Sequence, residues 1–272
     1  MPQMPVDGLT LHYKAQDQAT AELVRQACQR TVRLLREGWG LPAPADCRVY
    51  VMTSWLGFAF GAAPWPWKAL LAATLPLWAI RMQQTWAVAG GWAQRFGRRR
   101  AVGVKPPRLL QAADRSLGER FFIPVESLEE KVQHVACHEL THAWTAHLTL
   151  PGWLREGLAM VTVDRLAGRP TVQQATLATL TQPSAGQGSQ RPERLRLAHR
   201  EGLVRLYVRG YWLTRYVEES QPGLLTALLA KPQPAQELEQ QIAAAYGATL
   251  PAFWSTMDGR LLAHFGQRGE PA

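Results

Sequence analysis

The segment His138-Glu139-Leu140-Thr141-His142 constrains this chain more than any other feature of its sequence. Residues four apart on an α-helix lie on one face, about one turn from each other, so two imidazoles at this spacing can meet one ion. Ser127 and Glu130 have the spacing of a capping box, which predicts that the helix begins there. Pro151-Gly152 should end it, after about Leu148.

A third ligand is needed, because a catalytic zinc ion takes three protein ligands and leaves a fourth position free. His134 lies eight residues before His142, about 12 Å along a helix, which is too far for the three histidines to share one ion. His147 falls on a different face of the helix. Glu156 follows the helix stop by one short turn, on a second predicted helix from Trp153 to about residue 163, and completes a set with His138 and His142.

Glu139 is the predicted general base. It follows the first ligand directly, so its carboxylate is turned aside from the metal and can hydrogen-bond the attacking water. Zinc lowers the pKa of water toward about 7. A carboxylate in this position can take the proton and pass it to a leaving amine.

Two segments resemble the gluzincin zinc metallopeptidases. The H-E-x-x-H helix followed by Trp153-Leu-Arg-Glu156-Gly-Leu-Ala is most similar to their compact peptidase MA-like group, and more distantly to aminopeptidase N-like and thermolysin-like enzymes, over residues 127–165. The resemblance implies that Glu156 is the third Zn²⁺ ligand. Tyr207-Val-Arg-Gly210 resembles a Y-x-K-G segment, which implies that Tyr207 donates to the oxyanion. Tyr211, one turn on, is the alternative donor.

The chain also departs from those families. The interval from His142 to Glu156 is shorter than in aminopeptidase N-like enzymes or thermolysin, so the two helices must be joined tightly. This favours the compact group. No G-x-M-E-N segment occurs, and the anchor that those aminopeptidases use for a free amino terminus is missing. Exopeptidase specificity is therefore not predicted.

The expected fold is α/β (α+β) and zincin-like, with a small mixed sheet over the active-site helix and a mostly helical C-terminal half. Strands are predicted at residues 9–13, 49–51 and 120–125, with a helix ending near Gly38. Residues 1–165 should form the catalytic part and residues 166–272 a helical part that closes the cleft. After residue 180 we expect a loop at 181–196 and helices at 198–220, 222–230, 235–246 and 249–265.

Six of the eleven tryptophans fall between Trp55 and Arg100. Apolar residues there follow steps of three, four and seven, which predicts one face of a long helix at about 66–97, kinked at Pro76. The uncharged run 69–80 is shorter than the roughly 20 residues that cross a bilayer. Two interpretations remain: an insertion packed on the body or on a second copy of the chain, and a helix that lies on a membrane surface.

Charge and cysteines bear on partners and location. The formal charge is +9, but 25 of the 30 basic residues are scattered arginines, so nucleic acid is not an expected partner. Three cysteines are a sparse and odd set that favours a reducing compartment, with one Cys28–Cys47 bridge left open. Without a secretory signal at the N-terminus, we expect a cytoplasmic protein, peripheral to the membrane if the tryptophan-rich helix binds lipid.

The sequence thus predicts a zinc-dependent metallopeptidase that acts on a peptide or protein substrate. The alternative is a membrane-surface, interaction or sensor protein on a zinc-binding scaffold with little proteolytic activity. Cys137, beside His138, is given no ligand role, since neighbouring helix positions point about 100° apart. Asp164 is a candidate for orienting an imidazole N–H.

Overall fold

The computed structural model describes residues 1–111, 121–180 and 200–266. These residues form a mixed α/β fold around one five-stranded sheet. The strands are β1 Gln3–Val6, β2 Leu9–His12, β3 Asp46–Val51, β4 Gly91–Phe96 and β5 Arg99–Val104. The helices are α1 Gln18–Arg33, α2 Trp55–Ala62, α3 Trp65–Val88, α4 Leu128–Thr145, α5 Gly152–Ala167, α6 Arg200–Ser220, α7 Leu224–Leu229, α8 Ala235–Ala245 and α9 Leu250–Phe265.

The sheet has the order β1-β2-β3-β5-β4 and mixed strand directions. Strand β3 runs parallel to β2 and β5, whereas the outer strands β1 and β4 pair antiparallel with their neighbours. A two-residue turn containing Gly97, which has a φ of 61°, joins β4 to β5. Because β4 is last in the strand order, it forms one edge of the sheet.

Side chains on the two faces of the sheet belong to different cores, because successive residues of a strand point to opposite sides. On one face, Val49 and Val51 join the main core with α1 and α4. On the other, Tyr50 and Met52 pack with Phe58 and the inner side of α3. The main core also includes residues of α5, α6, α8 and α9, so most of the helices pack in one cluster.

Two sequence predictions for the first half are wrong. The helix predicted at about 66–97 ends at Val88, and residues up to Phe96 form strand β4 instead. The pair Gly90-Gly91 follows the end of the helix, and glycine is unfavourable in a helix interior because it loses more backbone freedom than other residues. The strand predicted at 120–125 is reduced, among its described residues, to a single bridge between Phe122 and Val172.

Other predictions are confirmed within the described residues. Strands at 9–13 and 49–51 and the helices of the C-terminal half agree within a few residues, although the loop predicted at 181–196 lies outside the described ranges. No described helix has the length and apolar character needed to cross a membrane. Cys28, Cys47 and Cys137 are buried free thiols, so the bridge left open between the first two is not formed.

Candidate metal centre

Helix α4 presents both histidines of the H-E-x-x-H segment on one face. Its start is fixed as predicted, because the Ser127 hydroxyl accepts a hydrogen bond from the Glu130 backbone N–H at 3.1 Å. The predicted reciprocal bond of the capping box is shifted by one residue, since the Glu130 carboxylate accepts from the backbone N–H of Glu126 at 3.3 Å. The helix then runs unbroken through His138 and His142.

Helix α5 brings Glu156 to the same point. Only a short connection separates the two helices, and α5 begins at Gly152. The carboxylate oxygen Oε2 of Glu156 lies 3.5 Å from His138 Nε2 and 3.3 Å from His142 Nε2. The two ring nitrogens are 3.0 Å apart. Three ligand atoms thus converge on one point.

These distances suit a metal ion. Ligand atoms about 2.0–2.2 Å from a tetrahedral zinc lie roughly 3.3–3.6 Å from one another, and two of the three separations fall in that range. The third, between the imidazoles, falls slightly below it. Within the described ranges these three residues are the one group of histidine, cysteine or acidic side chains that could hold a metal ion.

The cluster also contains a polar atom that a cation would satisfy. Glu156 Oε2 is buried and has no hydrogen-bond partner among the described residues. Buried polar atoms normally have a partner, so such an atom needs an explanation. Burial alone would raise the pKa of Glu156, but His142 and His138 hold it well below its usual range. The carboxylate is therefore charged, and this oxygen faces the two imidazole nitrogens.

Partial burial leaves the centre reachable from solvent. The side chains of His138 and His142 are each 15% exposed, and that of Glu156 is 8% exposed. The other carboxylate oxygen of Glu156 accepts a hydrogen bond from Arg155 Nε at 3.2 Å. This bond helps to fix the orientation of the carboxylate toward the histidines.

Glu139 faces the start of the edge strand β4. A Cβ added to Gly91 would come within 2.5 Å of the Glu139 Cγ, and within 2.6 Å of a methyl group of Val135. Only glycine allows this approach. Burial raises the pKa of Glu139 to about 7, with Glu156 contributing in the same direction and His138 opposing it. A carboxyl group with a pKa near neutrality suits proton transfer.

Tyr207 on α6 is the tyrosine nearer to the cluster. Its ring lies parallel to that of His138 with the centroids 6.2 Å apart. The charge of Glu156, followed by burial, raises the pKa of Tyr207 well above its usual value. The phenol therefore keeps its proton and remains a hydrogen-bond donor.

Tyr211 has a different partner. Its hydroxyl donates to Asp164 Oδ2 at 2.7 Å, while Asp164 Oδ1 accepts from the Thr171 backbone N–H and hydroxyl at 2.8 and 2.6 Å. The hypothesis that Asp164 orients an imidazole is wrong, because both of its oxygens are used here. Tyr211 is a structural residue of α6.

The other histidines near the centre lie outside it. His147 Nδ1 donates to the Trp144 carbonyl at 2.8 Å, and His134 Nε2 lies 3.5 Å from a carboxylate oxygen of Glu130. Cys137 is buried on the opposite side of α4, in a small cluster with Val163 and Leu166. None of these three belongs to the ligand group.

Two glycines that the sequence analysis did not single out bring α5 and α6 together. A Cβ on Gly157 would meet the Gly210 carbonyl oxygen at 2.2 Å, and one on Gly210 would meet the Trp153 carbonyl oxygen at 2.4 Å. Gly157 follows Glu156, and Gly210 lies one turn after Tyr207. The sequence contained a signal for this contact, since each glycine lies in the same short segment as a candidate site residue, Gly157 beside Glu156 and Gly210 three residues after Tyr207.

We expect Gly157→Ala to destabilise the protein by about 3 kcal/mol, the upper end for overpacking a core, because the added methyl group meets backbone that cannot rotate away. Urea unfolding would measure the loss. Gly259→Ala is the matched control: Gly259 is helical and has open space around its missing Cβ. That variant should be neutral or more stable by up to about 1 kcal/mol. Equal stability of both variants would contradict the close helix contact.

Comparisons of this chain with protein-family profiles, with curated proteins and with solved structures return no match. Function is accordingly inferred from the geometry of the centre and from the short sequence segments that build it.

Proposed function

We propose that this chain is a zinc-dependent peptidase of the gluzincin kind, with a zincin-like arrangement of sheet and active-site helix. The observation that carries the proposal is the convergence of His138, His142 and Glu156 with separations of 3.0–3.5 Å. Two imidazole nitrogens and one carboxylate oxygen are a donor set of catalytic zinc sites in hydrolases. When bound, zinc supplies a Lewis acid that polarises a carbonyl group and lowers the pKa of water.

The neighbouring side chains suit the two remaining tasks. In the proposed reaction Glu139 takes a proton from the attacking water and delivers it to the departing amine. Tyr207 holds its proton and can donate a hydrogen bond to the negative charge that develops on the carbonyl oxygen. In this proposal both residues act on the substrate from positions beside the ligands.

Strand β4 offers a place for an extended peptide. It is the last strand in the sheet order, and its first residue, Gly91, abuts Glu139. A peptide that adds to a sheet edge is held by main-chain hydrogen bonds, which fix its direction without requiring a particular sequence. The proposed substrate is therefore a peptide or protein segment in extended conformation.

The test is a measurement of metal content and hydrolysis on the purified full-length chain. We expect about one zinc per chain, as a single three-ligand site requires, and cleavage of casein or of a peptide library. Chelation should remove both, and added zinc should restore both. Hydrolysis that survives metal removal would refute the proposal. Zinc binding without any hydrolysis would instead favour the metal-binding sensor.

We expect Tyr207→Phe to lower kcat by about 10²-fold, the loss typical of one oxyanion donor, while zinc content stays unchanged. Steady-state kinetics with a cleaved peptide would measure it. The matched control is Tyr211→Phe, which removes a hydroxyl bonded to Asp164. That variant should lose about 1 kcal/mol of stability and little kcat. A larger kcat loss in Tyr211→Phe would reverse the assignment.

A further inference from the structure

The exposed apolar residues of this protein are concentrated on two adjoining helices. Apart from Met1, the exposed large hydrophobic side chains among the described residues all lie on α2 and α3: Leu56, Trp65, Trp67, Leu70, Leu77 and Ile80. Trp65, Leu77 and Ile80 are 79, 85 and 74% exposed. Scattered single residues of this kind are common on protein surfaces, but a cluster marks a binding surface.

Helix α3 is apolar on both sides from Trp65 to Ile80, and exposed polar residues, Arg81, Gln83 and Gln84, follow in its last two turns. Its inner side carries Leu71 and Trp86, which pack on the sheet. Every exposed position from Trp65 to Ile80 is also apolar. None of its 24 residues is fully buried. A helix that is apolar all round is normally covered on all sides, by protein or by lipid, so its outer side lacks a cover in the isolated chain.

The charge of residues 47–113, which include α2 and α3, indicates what covers the outer side of α3. Residues 47–113 contain nine of the 30 basic residues and none of the 21 acidic ones, which leaves 21 of each sign elsewhere. The whole formal net charge of +9 is thus carried by this segment. Arg99 and Arg48 share Asp46, Arg108 pairs with Asp17, and Arg95 donates to the Gly97 and Ala146 carbonyls, whereas Arg81, next to Ile80 on α3, is exposed.

We propose that the outer side of α3 lies on an anionic lipid surface, with Trp65, Leu77 and Ile80 in the boundary between headgroups and acyl chains. Basic residues near such a surface are attracted to it, and tryptophan favours the boundary layer. The helix lies on the surface, since no described helix could span a membrane. A second copy of this chain fits less well, because it would bring two segments of the same positive charge together.

The three consecutive arginines of the segment, Arg98 to Arg100, lie outside α3. Arg98, Arg99 and Arg100 do not end the tryptophan-rich helix but lie at the β4–β5 turn and the start of β5. Arg100 is buried and donates to the Gly97 carbonyl at 2.9 Å. Of the three, only Arg98 is fully exposed. The attraction to lipid therefore comes from the charge of the whole segment and not from an arginine run at a helix end.

The test is sedimentation of the purified full-length protein with vesicles of phosphatidylcholine alone and with about one third phosphatidylserine. We expect binding to the anionic vesicles, weakened by salt. The double variant Leu77→Glu with Ile80→Glu should lower the partition coefficient at least about tenfold, because two inserted side chains become charged. Both residues are exposed, so the far-UV spectrum and unfolding midpoint should not change.

The matched control places the same two charges on exposed positions of α8, as Gln236→Glu with Gln240→Glu. It should bind the anionic vesicles within about twofold of the wild type, since only long-range attraction changes. Three results would overturn the proposal: no binding to either vesicle, an equal loss in the control, or light scattering that shows a dimer which only the α3 variant dissociates.

Discussion

Replacement of Glu139 by Gln is expected to abolish peptide hydrolysis while the metal stays bound. The amide has nearly the shape of the carboxyl group but cannot accept and pass on a proton. General base catalysis contributes about 10²–10⁴-fold, and we expect kcat to fall toward the upper end of that range, since the amide cannot take the proton at all. The measurement is kcat with a cleaved peptide, beside zinc content in the same samples.

The control for this variant is Glu129→Gln, an identical change at an exposed position in the first turn of the same helix. Its kcat should equal that of the wild type. If Glu139→Gln retained most of its activity with full zinc content, the water would have to be activated by another group. The proposed role of Glu139 would then be lost, although the metal centre would stand.

Removal of one ligand is expected to have the second large effect. Structural zinc sites with four ligands are stabilised by about 10–16 kcal/mol, or roughly 3 kcal/mol per ligand. His142→Ala or Glu156→Ala should therefore weaken zinc binding by about 10²–10³-fold, since 1.4 kcal/mol corresponds to a factor of ten. Hydrolysis should fall with zinc occupancy. Titration with a competing chelator would measure the affinity directly.

His147→Ala is the matched control for the ligand variants. His147 follows the same helix and bonds the Trp144 carbonyl, so its loss should leave zinc affinity unchanged. Equal zinc affinity in the wild type, His142→Ala and Glu156→Ala would show that the metal is not held at the proposed centre. A loss of zinc affinity in His147→Ala alone would place the metal site at the C-terminal end of α4.

Local rules were sufficient to predict from the sequence that His138, His142 and Glu156 converge. Helical spacing places His138 and His142 on one face, the Ser127 cap fixes where the helix begins, and Pro151-Gly152 restricts where Glu156 can lie. Each of these steps depends on residues that are near one another in the chain. Together they predicted a convergence that the structure contains.

The wrong predictions involve contacts that helical periodicity does not describe. Phe96 fits the helical spacing of α3, but it lies in strand β4, where it pairs with Arg99 of β5 across a turn. Asp164 stands two turns after Glu156, yet its oxygens are taken by Thr171 and Tyr211. Periodicity does not show which neighbour competes for a side chain. Nor does it reveal that Gly91 is required by the approach of another element.

The separation of the site residues along the chain has a consequence for assembly. The three proposed ligands and the proposed base lie between residues 138 and 156, on two helices separated by a short connection, so the entropy lost in closing this loop is small. Tyr207 arrives from a later helix and depends on the Gly157–Gly210 contact. Under the proposed function, a nascent or truncated chain that lacks the C-terminal half could therefore hold zinc before it is able to turn over a substrate.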